Sequence, residues 1–456
     1  MSLKTKKNKY EIDMCSGSIM DKLIAFSLPL MLSSILQLMF NAVDIVVVGK
    51  FSGSEALAAV GSTSALINVF TNLFIGVSLG TNVLAARFYA SRREKEMSET
   101  VHTSLTFALI SGIVMAFVGL FCSRGALELM ATPEDVISQS ALYMKIYFLG
   151  MPFFMLYNYG AAILRAVGDT RRPLYFLVIS GVLNAGLNMF LVIVFHMGVE
   201  GVAIATVISQ MVSCILVLHC LYQCQGSYQL RFSKLTIKKQ YLKPIFQVGI
   251  PAGIQSTVIN FSNVLLQSSV NSFGSIAMAG YTAANNIFGF LFVAVNSVTQ
   301  ACMSFTSQNL GAGKWKRMDK VLVDCIFLSV TVAVLLGGSA YLFGPELLKI
   351  YTNNPQVIQC GVEILLYTTV TYFLCGLMDL FPGALRGMGY STVPMILSVI
   401  GTVGTRIIWI FWVFPKHRSL DMLFISYPVS WIATIVMQVV CFWFVQKKVH
   451  KTLQEN

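Results

Sequence analysis

Long apolar runs dominate the chain. They are separated by short polar punctuation, and none shows the strict alternation of a half-buried strand. A helix that crosses a bilayer needs about 20 mostly apolar residues. Twelve stretches qualify: 20–49, 56–86, 100–122, 138–164, 173–196, 200–222, 243–272, 276–308, 321–343, 357–385, 394–415 and 421–445. Several exceed what a straight perpendicular span requires, so tilt or kinking is expected. Pro29, Pro152, Pro251, Pro382 and Pro428 fall inside these windows, where a proline interrupts the backbone ladder. The pattern predicts an all-α polytopic membrane protein.

Composition removes the competing classes. Hydrophobic residues make up 56% of the 456 positions and charged residues 11%, against roughly 25% charged in soluble domains. An aromatic content of 12% argues against disorder, and ten cysteines spread over this length do not make a disulfide scaffold. The net charge of +12 comes from short clusters between apolar stretches, which is the distribution of cytosolic loops rather than of a nucleic-acid footprint. With the N-terminus inside, 25 of the 32 Lys and Arg residues fall on cytosolic segments, among them Lys4, Lys6, Lys7, Arg92, Arg171, Lys238 and Lys314. Both termini are therefore expected in the cytosol. The first apolar run is too long for a cleavable signal and is expected to stay in the membrane.

The two halves of the chain repeat each other. Leu164-Arg165-x-x-Gly168-x-x-x-x-Pro173 returns as Leu385-Arg386-x-x-Gly389-x-x-x-x-Pro394, 221 residues later. Pro29 matches Pro251 and Phe51 matches Phe273 at 222, and Lys95 and Met97 match Lys316 and Met318 at 221. Six spans per half make the repeats parallel, so two six-helix lobes around a central cavity are expected. The predicted layout is a cytosolic tail over 1–18, an N-lobe over 19–222, a polar linker over 223–242, a C-lobe over 243–446 and a C-terminal tail over 447–456.

The repeat motif, the twelve-span layout, the run from Pro29 to Gly49 with Asn41-Ala-Val-Asp44, and Gly198-Val-Glu-Gly-Val-Ala-Ile-Ala-Thr206 together resemble the multidrug and toxic compound extrusion (MATE) transporters. The resemblance covers residues 18 to 446. It implies a secondary antiporter in the cytoplasmic membrane that exports amphipathic, cationic compounds in exchange for protons or sodium ions. No cofactor is implied, and a monomer is expected. The other twelve-span architecture, the major facilitator type, carries Gly and Asp in its 2–3 loop, and here that loop reads Ala86-Arg87-Phe-Tyr-Ala-Ser-Arg92-Arg93-Glu-Lys95. Two further readings stay open on the sequence: a lipid-linked precursor flippase of the same wider fold, and a membrane scaffold or receptor that transports nothing.

Asp44 leads the candidate coupling residues. A carboxylate at the centre of a membrane helix costs about 2.5–3.5 kcal/mol, and such residues usually mark an ion pathway. Gln37 and Asn41 share its helix face at spacings of seven and three. Matching family positions add Tyr147, Asn184 and Thr206. Asn188 stands where relatives often have Asp, Phe40 where one branch has Tyr, and the seventh span carries Gln255, Asn260 and Gln267 but no Glu. A single carboxylate in the Asp44 group favours protons over sodium, and the missing Glu in the seventh span places coupling in the N-terminal half. Asp379 and Arg406 are the other charges well inside spans; they either pair with each other or contribute to substrate binding. Met39, Phe40 and Tyr159 are cavity candidates.

Enzymatic chemistry finds no constellation. The five histidines are scattered, and Gly311-Ala-Gly313-Lys314 lacks the spacing of a phosphate loop. Cys220 and Cys224 have no second ligand pair after them, so they are read as a reduced structural pair and no metal is expected.

Overall fold

A computed structural model describes residues 9–130 and 132–455, so Lys4, Lys6 and Lys7 of the cytosolic set lie outside the described residues. All regular structure among these residues is helical. Its long elements coincide with the twelve apolar stretches. The first half holds α1 (Ile19–Phe51), α2 (Ser54–Ala90), α3 (Glu94–Leu129), α4 (Glu134–Leu149 followed by Met151–Ala166), α5 (Arg171–Met189 with a π-helical turn Phe190–Val194) and α6 (Val199–Gln223). The second holds α7 (Lys239–Asn271), α8 (Ser275–Gly311), α9 (Trp315–Leu342), α10 (Pro355–Thr369 followed by Tyr372–Gly387), α11 (Thr392–Lys416) and α12 (Ser426–Glu455).

Nine of the helices are each long and apolar enough to cross a membrane, and the two bent pairs α4 and α10 bring the number among the described residues to eleven. The remaining element, α7, differs from the expectation of twelve apolar spans. Its 33 residues reach about 50 Å at 1.5 Å per residue, ample for a crossing, but Gln247, Gln255, Asn260 and Gln267 lower its hydropathy. Large apolar side chains elsewhere are left exposed along whole helix faces, such as Val114 and Phe117 on α3, Phe327 and Leu335 on α9, and Val436 and Phe444 on α12. Exposure of that extent belongs against lipid, because water would penalise it.

The bends have local causes in one case and not in the other. α4 turns by 46° at Gly150, where Pro152 opens the second segment and its missing N–H is harmless. α10 turns by 41° near Val370 and Thr371, while Pro382 sits inside its second segment.

The repeated Leu-Arg-x-x-Gly motif is a helix stop. Gly168 takes a φ of 93° and Gly389 a φ of 95°, the left-handed region that favours glycine. That turn lets Asp169 N–H donate to Leu164 C=O at 2.9 Å, and Tyr390 N–H to Leu385 C=O at 2.9 Å, which satisfies carbonyls the helix end would otherwise orphan. Positive φ recurs at the same offset of 221 for Gly53 and Gly274, and for Arg92 and Gly313. Arg92 is the one non-glycine among these joints, at φ 56°. Left-handed backbone costs a residue with a Cβ about 1–2 kcal/mol. Arg92→Gly is therefore expected to raise the thermal unfolding midpoint of the detergent-solubilised protein; an unchanged or lower midpoint contradicts this reading.

The chain divides into two compact units, Met1–Asp13 with Leu32–Gly249, and Met14–Met31 with Ile250–Asn456. The divisions fall inside α1 and α7, close to Pro29 and Pro251. The first unit packs around Phe148, Met155, Tyr159, Leu164 and Leu221. The beginning of α7 joins it through Phe246 against Phe107 (ring centroids 5.0 Å), Tyr241 against Phe88 (5.9 Å) and a Lys238–Glu99 ion pair of 2.5 Å. The second unit packs around Leu365, Tyr372, Phe424 and Trp431. The beginning of α1 joins it: Phe26 meets Phe305 edge-on at 5.7 Å, and Asn309 donates to Met14 C=O at 3.2 Å. Arg317 also donates to Met14 and Ser16 carbonyls at 3.1 and 2.8 Å.

Cys220 and Cys224 close the end of α6. Arg172 Nη1 donates to Cys224 Sγ at 3.5 Å, and its Nε binds the Asp169 carboxylate. The hydrogen bond from Cys220, with the Arg172 charge behind it, pushes the Cys224 thiol down to about 6. Ultraviolet thiolate absorbance is expected to develop with a midpoint near pH 6, to vanish in Cys224→Ser, and to move upward in Arg172→Gln. Titration only in the ordinary thiol range contradicts the assignment.

Candidate functional site

Asp44 lies half-buried on α1, and its surroundings are built by the approach of α5. Gly181 on α5 makes that approach possible: a Cβ there would fall 1.7 Å from Phe40 Cε2. The Phe40 ring occupies the space a larger residue would fill. One turn onward Asp44 follows Phe40 on α1, while on α5 Asn184 follows Gly181 by one turn and Asn188 by two. The close contact thus sets the register that puts carboxylate and amides at one level.

Hydrogen bonds run through this level in sequence. Asn188 Nδ2 donates to Asp44 Oδ1 and also to Asn184 Oδ1 at 3.2 Å. Asn184 Nδ2 donates to Thr206 Oγ1 at 3.5 Å, and Thr206 donates to the Val202 carbonyl on α6 at 2.9 Å. Asn184 and Asn188 are buried, whereas Thr206 is partly so. Asn188 Oδ1 is buried without a hydrogen-bond partner. On α4, Tyr143 and Tyr147 stack one turn apart with ring centroids 6.2 Å from each other, and both lie within electrostatic reach of Asp44.

Four of the residues named from the sequence, Asp44, Asn184, Asn188 and Thr206, therefore form one connected network in the first unit, with Tyr147 beside it. Gln37 and Asn41 are exposed on α1 and make no hydrogen bond to that network. Met39 is also exposed, at 51%. Tyr159 lies in the packed core of the first unit, tilted against Phe107 at 6.1 Å. Tyr143 and Gly181 were not singled out by the sequence. Tyr143 had a signal in its four-residue spacing from Tyr147, but Gly181 had none, because a contact between helices leaves no mark in either helix's own periodicity.

In the second unit Asp379 and Arg406 form no ion pair. Arg386, two turns after Asp379 on α10, donates to Gln255 Oε1 on α7 at 2.7 Å. Arg406 is buried on α11 and hydrogen-bonds neutral side chains of α7 and α12. No group of three His, Cys, Asp or Glu suited to a metal occurs among the described residues.

Comparison with known proteins gives this arrangement a context. The MatE family profile matches residues 29–190 and again 251–412, two ranges offset by 222 residues, in step with the internal repeat. The chain is 28% identical over 442 residues to the probable multidrug resistance protein YoeA of Bacillus subtilis (strain 168), covering 94% of this chain and 95% of that one. It is 27% identical to the probable multidrug resistance protein YpnP of the same organism, over 85% and 87% of the two chains. Among solved structures, a crystal structure of MATE in complex with MaL6 superposes with a TM-score of 0.89 at 20% identity, over 98% of this chain and 100% of that one. The profile takes in well over half of the residues, once in each half, and the fold agrees with it: the chain belongs to the MatE family of multidrug and toxic compound extrusion transporters.

Proposed function

We propose that the protein is a secondary antiporter of the cytoplasmic membrane, with both termini in the cytosol, that exports amphipathic, cationic compounds by alternating access. Protons are the exchanged ion in preference to sodium, Asp44 carries them, and a monomer suffices. The observation that carries this reading is the connected network from Asp44 through Asn188 and Asn184 to Thr206. A carboxylate inside a membrane helix is tolerated when its neighbours can stabilise it.

The amide of Asn188 serves both states of that carboxyl. It donates through Nδ2 to ionised Asp44. A protonated Asp44 needs an acceptor, and rotating the same amide would offer its unused Oδ1. Leaving a buried acceptor unsatisfied costs about 1–3 kcal/mol, so the site favours an incoming proton that relieves it. Tyr143 and Tyr147 are neutral hydroxyls and bring no second negative charge. One carboxylate in a neutral setting supports a proton rather than a sodium ion. The names of the relatives support multidrug substrates.

The test is transport in liposomes. Purified protein is reconstituted, a cationic dye is followed, and a proton gradient and a sodium gradient are imposed separately. Dye movement driven by the proton gradient alone is expected. Movement driven only by sodium overturns the choice of ion, and movement with neither overturns export of this class of compound.

A further inference from the structure

Arg406 sits in α11 at 3% exposure, within the apolar depth of the second unit. Every group that holds it is neutral. Nε donates to Ser430 Oγ at 3.4 Å, and Nη1 donates to Ser262 Oγ at 3.4 Å and to Asn263 Oδ1 at 2.9 Å. The guanidinium carbon lies over the Tyr427 ring, 4.5 Å from its centroid, and the Tyr427 hydroxyl is paired with that of Tyr281 at 3.2 Å. Among the described residues no carboxylate lies within 4.0 Å of it, and Nη2 donates to none of them. Three neutral hydrogen bonds and one aromatic face fix the plane of the guanidinium but leave its charge uncompensated. A buried cation in that condition is costly to keep. An anion presented to the open Nη2 edge would supply what the protein omits, with the geometry that guanidinium forks offer to oxyanions.

The opposite charge is close at hand. Cys375 on α10 lies within electrostatic reach of both Arg406 and Asp379, and the two charges form no ion pair.

We propose that Arg406 anchors an anionic group, a carboxylate or similar oxyanion, carried by the exported compound. The second lobe then selects zwitterionic amphipaths over purely cationic ones. This inference rests on the exporter reading and specifies its substrates.

The test uses a matched pair of probes, tetramethylrhodamine as the free acid and as its methyl ester. Binding of each to the purified full chain is measured by fluorescence anisotropy. The wild-type protein is expected to bind the acid at least about tenfold more tightly than the ester, one good charge-assisted contact's worth. Arg406→Gln should bring the ratio to about one, and Arg406→Lys should keep part of it. Equal binding of acid and ester by the wild type overturns the assignment without any variant having to fold, and leaves the exporter reading standing. A preference that survives in Arg406→Gln also overturns it. Binding of neither probe removes both readings for this chemical class. An Arg406-dependent effect of chloride on both probes alike gives the site to an inorganic ion and overturns the substrate assignment.

Discussion

Asp44→Asn is expected to uncouple the transporter while leaving it folded. The asparagine side chain has the shape of the carboxylate, and its amide can still exchange a hydrogen bond with Asn188, whose Nδ2 binds Asp44 in the native chain. Helix packing at Phe40 and Gly181 is untouched. What disappears is the only ionisable group in that network. One proton exchanged for one monovalent cation moves no net charge, so the driving force is the pH gradient, about 1.4 kcal/mol per pH unit, which holds a roughly tenfold concentration ratio per unit. In vesicles under a gradient of about one pH unit the dye ratio should fall from about ten toward one in the variant. Dye binding measured without a gradient should persist, because binding needs no proton cycle. A variant that is present at normal abundance and still sustains the gradient removes Asp44 from the mechanism. Asn188→Ala offers a check on the network. It takes away the Nδ2 donor, and the pH at which efflux is half-maximal should move while the Asp44 carboxyl remains.

The largest structural effect is expected at Gly168. Two penalties coincide there. The left-handed backbone, φ 93°, costs a residue with a Cβ about 1–2 kcal/mol. A Cβ would also fall 2.3 Å from the Ile12 carbonyl oxygen and 2.7 Å from the Ile12 nitrogen, both backbone atoms with little room to yield. Overpacking of this kind costs about 1–3 kcal/mol. It would break the Ile12 N–H bond to Gly168 C=O, now 3.3 Å. Gly168→Ala should therefore destabilise by about 2–5 kcal/mol, seen as a lower unfolding midpoint and reduced abundance. Gly313→Ala is the control. Its φ is 67°, and nothing lies within 4 Å of a Cβ built there, so only the backbone penalty applies. Equal losses at the two positions would refute the role given to the Ile12 contact.

Much of this architecture was readable before any coordinates. The apolar runs located the helices because the bilayer imposes one length on every span. The repeat offset of 221 located the joints, and the left-handed turns now explain why Gly168 and Gly389 had to match. Asp44 was conspicuous because hydrocarbon makes any carboxylate conspicuous. Rotation between helices was less legible. Gln37 and Asn41 share a stripe with Asp44, yet the partner of Asp44 is Asn188, and that choice depends on how closely α5 approaches at Gly181. Tyr159 looked like a cavity residue by type and is a core residue by position. Asp379 and Arg406 stood open between an ion pair and substrate binding, and the structure shows no pair but a neutral cradle around Arg406. Periodicity fixes which residues share a face. It does not say which face meets which neighbour.

The division of the chain inside α1 also bears on its biosynthesis. Met14–Met31 is counted with the second unit, and its partners Phe305, Asn309 and Arg317 lie nearly three hundred residues downstream. The ribosome therefore delivers the opening segment long before anything exists for it to pack on. Insertion of the first half ends with that segment unpartnered, and with the first unit still lacking the start of α7. A polypeptide stopped at the linker would leave both units unfinished. The two halves, supplied as separate chains, should then restore function only when they are made together.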